Sequence, residues 1–326
     1  MMKPSIVRRV LGIAGAVALV GTVVGTVPAE AAAGAPLPVA PYVDMGAWPT
    51  PVLSTMASRG GMKGFTLGFV TSFGCKASWF AAFDPRTRWQ ADEIAKIRNA
   101  GGDVKVSFGG ASGIELAQAC GTAAATAAEY DAVVKAYGLK YIDMDIEGAA
   151  VADPASIQRR AQALATVQRN NSGLKISLTL PVLPTGLTQD GVNLVTQTKN
   201  AGVNIDMVNV MAMDYYQGPA DQGAKAISAA RATQAQVKTI FGLSDAAAWK
   251  KVGVTPMIGV NDSQNEVFLQ KDARALVTFA SGVHLGMLSF WEQGRDANAC
   301  TGPLYKCSNI SQQPYEFAKI FAGYTG

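Results

Sequence analysis

Histidine is almost absent from this sequence, in which His284 is the only one among 326 residues. A Ser-His-Asp triad and a Cys-His pair both require histidine as the base, and a multi-histidine metal centre requires several. These three classes of site are therefore excluded. We expect His284 to have a structural role, and we expect the protein to use neither a metal nor a cofactor.

Charged residues are also scarce: Asp, Glu, Lys and Arg make up 16% of the chain, and the formal net charge is +4. Cleavage after Ala31 would remove three basic residues and one acidic residue and lower that charge to +2. So weak a charge gives no reason to expect a nucleic acid partner. A low charge content suits a protein that acts on a neutral substrate.

The amino terminus has the three-part layout of a secretory signal peptide. Lys3, Arg8 and Arg9 make the first nine residues basic. Residues 10–27 are apolar and uncharged, and residues 29–31 read Ala-Glu-Ala, which fits a cleavage site. A membrane anchor is the alternative, because the apolar run approaches the roughly 20 residues of a membrane span. The adjacent arginines hint at twin-arginine export.

This layout sets the predicted organisation of the chain. We predict a secretory signal peptide over residues 1–31, a flexible leader over residues 32–40 and one domain over residues 41–326. The protein is then secreted and extracellular, with no membrane contact after cleavage, and we expect a monomer.

Four cysteines remain in the mature chain: Cys75, Cys120, Cys300 and Cys307. An even number in an oxidising compartment predicts two disulfides, for which three pairings exist. We favour Cys75–Cys120 with Cys300–Cys307, because the second pair closes a short loop and leaves the first pair together. A zinc site is the alternative, but CxxC spacing and a nearby histidine are both missing.

Apolar runs of strand length alternate with stretches rich in Ala, Glu, Lys and Gln. The eight runs cover residues 41–45, 64–70, 104–109, 141–146, 175–180, 207–213, 252–258 and 285–291. The helical stretches cover residues 89–99, 113–135, 155–170, 189–201, 220–241 and 270–280, with a shorter one at 50–61. This alternation predicts an α/β fold, a (β/α)8 TIM barrel forming a single catalytic domain. An open doubly wound sheet is the alternative, but the Gly-rich turn typical after its first strand is missing.

The fourth run ends in three carboxylates that alternate with apolar residues. A strand places Asp143, Asp145 and Glu147 on one face, at steps of roughly 6–7 Å. Like charges this close repel, and one of them can be kept protonated near neutral pH. Because chemistry in such barrels occurs at the carboxyl ends of the strands, Glu147 is placed at the mouth, with the two aspartates deeper.

The ends of the other predicted strands deliver acids, amides and aromatic rings to the same mouth. This is the composition of a sugar-binding cleft, in which aromatic faces meet pyranose rings and polar groups meet hydroxyls. The candidate substrate-binding residues are Gly109, Gly110, Met211, Met213, Asp214, Tyr215, Tyr216, Asn261 and Trp291.

Several of these motifs resemble those of the family-18 glycoside hydrolases, which include chitinases and endo-β-N-acetylglucosaminidases. The family's fourth-strand signature is D-G-x-D-x-D-x-E, and residues 140–147 read Lys-Tyr-Ile-Asp-Met-Asp-Ile-Glu. Residues 107–110 match its S-x-G-G motif, and residues 211–214 are similar to its M-x-Y-D motif. Trp291 fits the tryptophan at the end of the eighth strand. The resemblance spans strands three to eight.

The resemblance implies substrate-assisted hydrolysis with retention at the anomeric carbon. Glu147 would be the general acid, and the substrate's own acetamido oxygen would be the nucleophile. Asp145 would orient the acetamido group and stabilise the oxazolinium ion, while Asp143 would share a proton with Asp145. Asp214 would help to hold the acetamido group, and Trp291 would form the floor under the sugar.

The resemblance further implies a secreted chitinase whose partners are chitin and chito-oligosaccharides. Only about 30 residues separate the last two predicted strands, which is too few for the α+β insertion common in the family. We therefore expect an open cleft and endo-type cleavage. Two alternatives remain: an endo-β-N-acetylglucosaminidase that acts on N-glycans, and a non-catalytic chitin-binding lectin or inhibitor on the same barrel.

The sequence departs from the family pattern at Met213, where tyrosine is usual. The phenol hydroxyl that would bond the acetamido oxygen is then missing. Tyr215 or Tyr216 could supply it from a shifted position. Without it, we expect slower turnover or an oxazolinium ion that lives long enough to favour transglycosylation.

Overall fold

The computed structural model describes residues 1–2 and 36–326. Residues 3–35, which hold nearly all of the predicted signal peptide and the start of the predicted leader, lie outside the described residues. Within the described part, no helix combines the length and the apolarity needed to cross a membrane.

The central sheet of the described chain contains eight parallel strands, which follow one another in space as they do in sequence. They are Tyr42–Asp44, Gly64–Ser72, Asp103–Gly109, Tyr141–Asp145, Lys175–Leu183, Ile205–Met211, Val252–Thr255 and Met287–Leu288. The first and last strands are also joined, because the Ala40 and Tyr42 N–H groups donate to the Leu288 and Phe290 carbonyls, each at 3.0 Å. The sheet therefore closes, and the predicted (β/α)8 barrel is confirmed.

Helices connect successive strands and cover the outside of the sheet. They are Leu53–Gly60, Ala91–Asn99, Leu116–Ala119, Ala123–Tyr137, Pro154–Asn170, Gln189–Asn200, Gln222–Phe241, Asp245–Trp249, Gln270–Val283, Gln293–Asn298 and Glu316–Phe321. Three of the longest helices have N-cap residues whose side chains accept hydrogen bonds from backbone N–H groups of the first turn. These N-caps are Thr122, Asp153 and Asp221. Such caps satisfy N–H groups that have no partner within the helix.

Two boundaries differ from the prediction for identifiable reasons. The helix predicted over residues 113–135 is interrupted, because Cys120 has an extended backbone and is held by its disulfide. The seventh strand ends at Thr255, since the following Pro256 has no N–H to donate to a sheet.

The connection between the seventh and eighth strands is short. It holds a small hairpin, Gly259–Val260 with Val267–Phe268, and the helix Gln270–Val283. This agrees with the expected lack of an α+β insertion, and it leaves the mouth of the barrel open on that side.

The alternation within the fourth strand is as predicted. Ile142 and Met144 have no exposed surface and belong to the main apolar core. Asp143 and Asp145 point the other way, into the barrel, where they are 1% and 4% exposed. The strand therefore carries its acids up the inside of the barrel toward the mouth.

The end of the predicted leader is packed rather than open. Val39 pairs with Leu288 in a parallel bridge, and Ala40 has no exposed surface. The ordered core of the described chain thus begins before residue 41.

Both favoured cysteine pairs form disulfides, Cys75–Cys120 and Cys300–Cys307. The first joins the loop after the second strand to the short helix after the third. The second closes a loop that follows the last strand. Both disulfides therefore fasten loops at the carboxyl ends of the strands, where the candidate site lies.

Candidate active site

Asp143 lies deepest of the three acids and is surrounded by hydroxyl groups. Its Oδ2 accepts hydrogen bonds from Tyr42 Oη at 2.8 Å and Ser107 Oγ at 2.7 Å. Its Oδ1 accepts from Thr179 Oγ1 at 2.8 Å and from Ser177 Oγ. A buried carboxylate is tolerated only when it is well paired or hydrogen-bonded, and four donors from the first, third and fifth strands meet that need.

Asp145 occupies the next position toward the mouth and is incompletely satisfied. Its buried Oδ1 has no hydrogen-bond partner in the structure. Burial raises the pKa of Asp145 well above its ordinary value, and repulsion from Glu147 and Asp143 adds to the shift. An unpaired buried oxygen is uncommon in a folded protein and marks a place where a ligand donor would be accommodated.

Glu147 is the outermost of the three and is partly exposed. It directly precedes a short 3-10 turn, Gly148–Val151. Burial raises its pKa to about 7, and repulsion from Asp214 and Asp262 contributes. A carboxyl group that keeps its proton up to neutral pH while facing a cleft has the properties of a general acid.

Gly109 and Gly110 hold the backbone of Asp145 in place. The Gly110 N–H donates to the Asp145 carbonyl at 3.0 Å, and a Cβ at Gly109 would lie 2.0 Å from that same oxygen. Both glycines have positive φ, +105° and +87°. Neither lines the cleft, so the structure gives them a packing position beside the fourth strand, whereas we had assigned them to substrate binding.

Aromatic rings form one wall of the site. The Trp291 ring stacks on Phe69 with centroids 5.6 Å apart and an interplanar angle of 19°. Tyr42 lies 5.9 Å from each of these rings. The Tyr42 hydroxyl also donates a hydrogen bond to Asp143, so this bond links the aromatic wall to the acids.

Asp214 reaches the cleft from a turn after the sixth strand. Its Oδ1 accepts the Ser263 N–H at 2.8 Å, and its own N–H donates to Asn261 Oδ1 at 3.3 Å. Burial raises the pKa of Asp214 above its ordinary value. Asn261 is itself buried away from the cleft lining, so it supports this turn from behind.

Asp145, Glu147, Asp214 and Trp291 border one open cleft of about 600 Å³. The predicted site residues in its lining are Asp145, Glu147, Met211, Met213, Asp214 and Trp291. Those outside the lining are Asp143, Gly109, Gly110, Tyr215, Tyr216 and Asn261. Tyr215 is buried beneath the turn and Tyr216 is 78% exposed. Neither tyrosine therefore stands in for the hydroxyl missing at Met213.

Comparisons with known proteins agree with this geometry. The model for glycosyl hydrolases family 18 matches residues 65–283, which include all three acids and the turn that carries Asp214. The chain belongs to glycosyl hydrolase family 18.

Two relatives of this family-18 chain are similar over most of its length. A protein of Escherichia coli (strain K12) named probable bifunctional chitinase/lysozyme is 38% identical over 306 residues, which are 88% of this chain and 34% of that one. Endochitinase 11 of Metarhizium anisopliae is 38% identical over 274 residues, 80% of this chain and 52% of that one. The chain thus spans about a third and about half of the length of these relatives.

Solved structures are similar over nearly the whole domain. The catalytic domain of a hyperthermophilic chitinase from Pyrococcus furiosus is 35% identical with a TM-score of 0.78, over 87% of this chain and 93% of that one. A second structure from that organism shows catalytic-site mutants of active domain 2 of the thermostable chitinase, complexed with chito-oligosaccharides. It is 34% identical to this chain with a TM-score of 0.79, over 87% of this chain and 93% of that one.

Several residues of the cleft were not foreseen from the sequence. They are Tyr42, Phe69, Thr71, Asp262, Arg295 and Tyr305. Tyr42 lies on the first strand two residues before Asp44, which also lines the cleft, so the period of two places both on the inner face. Asp262 and Tyr305 lie in loops and Arg295 in the short helix Gln293–Asn298, and none of the three belongs to a strand pattern that leads to the mouth.

The close contact of Gly109 with the Asp145 carbonyl leads to a prediction about stability. We expect Gly109→Ala to lower the free energy of unfolding by about 3 kcal/mol, the upper end for an over-packed site, because the new Cβ meets the Asp145 carbonyl. Gly202→Ala is the matched control, since Gly202 also has a positive φ, +86°, and a Cβ there meets nothing within 4 Å. Urea denaturation measures the free energy of unfolding of both variants. Equal values would contradict the idea that the missing Cβ of Gly109 makes room for the Asp145 carbonyl.

Proposed function

We propose that this protein is a secreted chitinase that cleaves β-1,4-linked N-acetylglucosamine chains, and that Glu147 is its general acid. One observation carries the proposal: Glu147, with a pKa raised to about 7, faces a cleft beside Asp145, whose buried Oδ1 has no hydrogen-bond partner among residues 1–2 and 36–326. The family membership and the chitinase relatives support it. The predicted signal peptide and the two disulfides support secretion.

The reaction proceeds by participation of the substrate. Glu147 donates its proton to the glycosidic oxygen, which leaves as an alcohol when its bond to the anomeric carbon breaks. The acetamido carbonyl oxygen forms the new bond to that carbon and gives an oxazolinium ion. Water then attacks the same carbon from the face that the leaving group vacated, and Glu147 accepts its proton, so the configuration is retained.

The remaining groups act on the acetamido group and the ring. Asp145 Oδ1 accepts the acetamido N–H and stabilises the positive charge of the oxazolinium ion. Asp143, which lies deeper in the barrel, shares a proton with Asp145 and so affects the substrate through Asp145. Asp214 faces the acetamido group, and Trp291 supports the apolar face of the sugar. The open cleft favours cleavage within a chain. The proposed enzyme acts as a monomer.

Substitution of the general acid tests the function directly. We expect Glu147→Gln to fold and bind chito-oligosaccharides while losing roughly 10³-fold in turnover, because general acid catalysis contributes about 10²–10⁴-fold. The measurement is the release of new reducing ends from a defined chitin hexamer. A wild-type protein that binds the hexamer without cutting it would instead indicate a lectin.

Stereochemistry tests the participation of the acetamido group. Retention predicts that the newly formed reducing end appears first as the β anomer and only later equilibrates. Proton NMR of the early hydrolysate distinguishes the anomers. An α anomer formed first would rule out the oxazolinium route.

The pH dependence follows from the raised pKa of Glu147. Its protonated form acts, so kcat/KM should be fully present well below pH 7 and fall as the pH rises through about 7. Asp214→Asn removes one repelling charge, so this alkaline limb should move to lower pH. Asp206→Asn, at the amino-terminal end of the sixth strand, is the control and should leave the limb in place. An unmoved limb in Asp214→Asn would contradict the assignment.

A further inference from the structure

The turn that carries Asp214 has an unusual backbone. Asp214 and Tyr216 both adopt left-handed conformations, with φ of +48° and +55°. Residues with a Cβ seldom do so, and such conformations persist only where the surroundings enforce them. Two such residues within three positions therefore call for a structural cause.

The cause lies beneath the turn, at Glu266. Its carboxylate has no exposed surface and accepts the N–H groups of Tyr215 at 2.8 Å and Gln217 at 3.0 Å. Lys225 Nζ lies 3.5 Å from the same carboxylate. The turn is thus folded around one buried anion that fixes alternate backbone N–H groups.

Glu266 belongs to the same hairpin loop that holds Asp214 from the side. Asn261 and Ser263 contact the Asp214 backbone and carboxylate, and the Asn261 N–H donates to the Glu266 carbonyl at 2.9 Å. Glu266 is outside the cleft lining and cannot touch a substrate there. Glu266 therefore acts on the site through the backbone that it holds, which is the turn that carries Asp214 and its own loop, where Asp262 lines the cleft.

We propose that Glu266 is a positioning residue, which holds Asp214 in the cleft and so sets its distance from Glu147 and from the substrate. This inference rests on the proposed function, in which Asp214 faces the acetamido group. A displacement of about 1 Å at a catalytic group can cost about 100-fold in rate.

The pH dependence of kcat/KM distinguishes a change in the position of Asp214 from a loss of stability. Asp214 repels Glu147, and Asp262 and Arg295 are the other charged groups that act on Asp214 beside Glu266. If Asp214 moves away, the pKa of Glu147 falls, and the alkaline limb of kcat/KM moves to lower pH. A protein that is only less stable keeps the limb where it was.

The test compares Glu266→Gln with the wild type on a soluble chito-oligosaccharide. The Tyr215 and Gln217 N–H groups are held by different carboxylate oxygens, and glutamine replaces one of these oxygens with an NH2 donor, so one of the two N–H groups loses its acceptor. We expect kcat to fall roughly 10–100-fold, with the alkaline limb at lower pH. Glu266→Asp keeps two oxygens and the charge, and it should lose less than Glu266→Gln.

Asp296→Asn is the matched control. Asp296 is also fully buried and accepts two backbone N–H groups, those of Phe317 and Ala318, but it serves the last helix. This variant should melt at a lower temperature while its kcat and its alkaline limb stay unchanged. Glu266→Gln behaving in the same way would overturn the proposal.

A binding measurement separates this proposal from the proposed function. A wild-type protein that does not hydrolyse the oligosaccharide overturns the function. Calorimetric titration of the oligosaccharide into Glu147→Gln, with and without Glu266→Gln, then decides the role of Glu266. We expect roughly 10-fold weaker binding by the double variant, and equal affinities would overturn the positioning role.

Discussion

The hydroxyl cage around Asp143 is the interaction on which the rest of the site depends. A carboxylate that is 1% exposed would be costly without donors, and Tyr42, Ser107, Ser177 and Thr179 supply four. These donors come from the first, third and fifth strands, so the cage also ties those strands together. Burial is the main cause of the raised pKa of Asp145, and repulsion from Glu147 and from Asp143 adds to it.

Because side chains alternate along a strand, the three acids lie on one face at three depths, and each has different surroundings. Asp143 is sealed and fully bonded, Asp145 is buried with one free oxygen, and Glu147 reaches the cleft. Burial raises the pKa of Asp145 well above its ordinary value and that of Glu147 to about 7, so the surroundings set the proton affinity of each of these two carboxyl groups. The roles proposed for the three acids thus follow their depth in the barrel.

The barrel and the acids were predictable because both rest on periodicity. The alternation of strands and helices fixed the fold class, and the period of two aligned the acids. Phe69 was missed because the pairing register shifts between Leu67 and Val70, which breaks that period. Glu266 was missed because its role depends on a loop that meets the turn after the sixth strand only in three dimensions.

The same turn explains why the departure at Met213 is not repaired by its neighbours. Tyr215 is buried, with its N–H bound to Glu266, and Tyr216 points to solvent from a left-handed backbone. Neither tyrosine lines the cleft. The hydrogen bonds from the hairpin loop that hold Asp214 at the cleft thus belong to the same turn that buries Tyr215 and exposes Tyr216. In the proposed mechanism, the turn that presents Asp214 to the acetamido group therefore leaves that group without the hydroxyl of a neighbouring tyrosine.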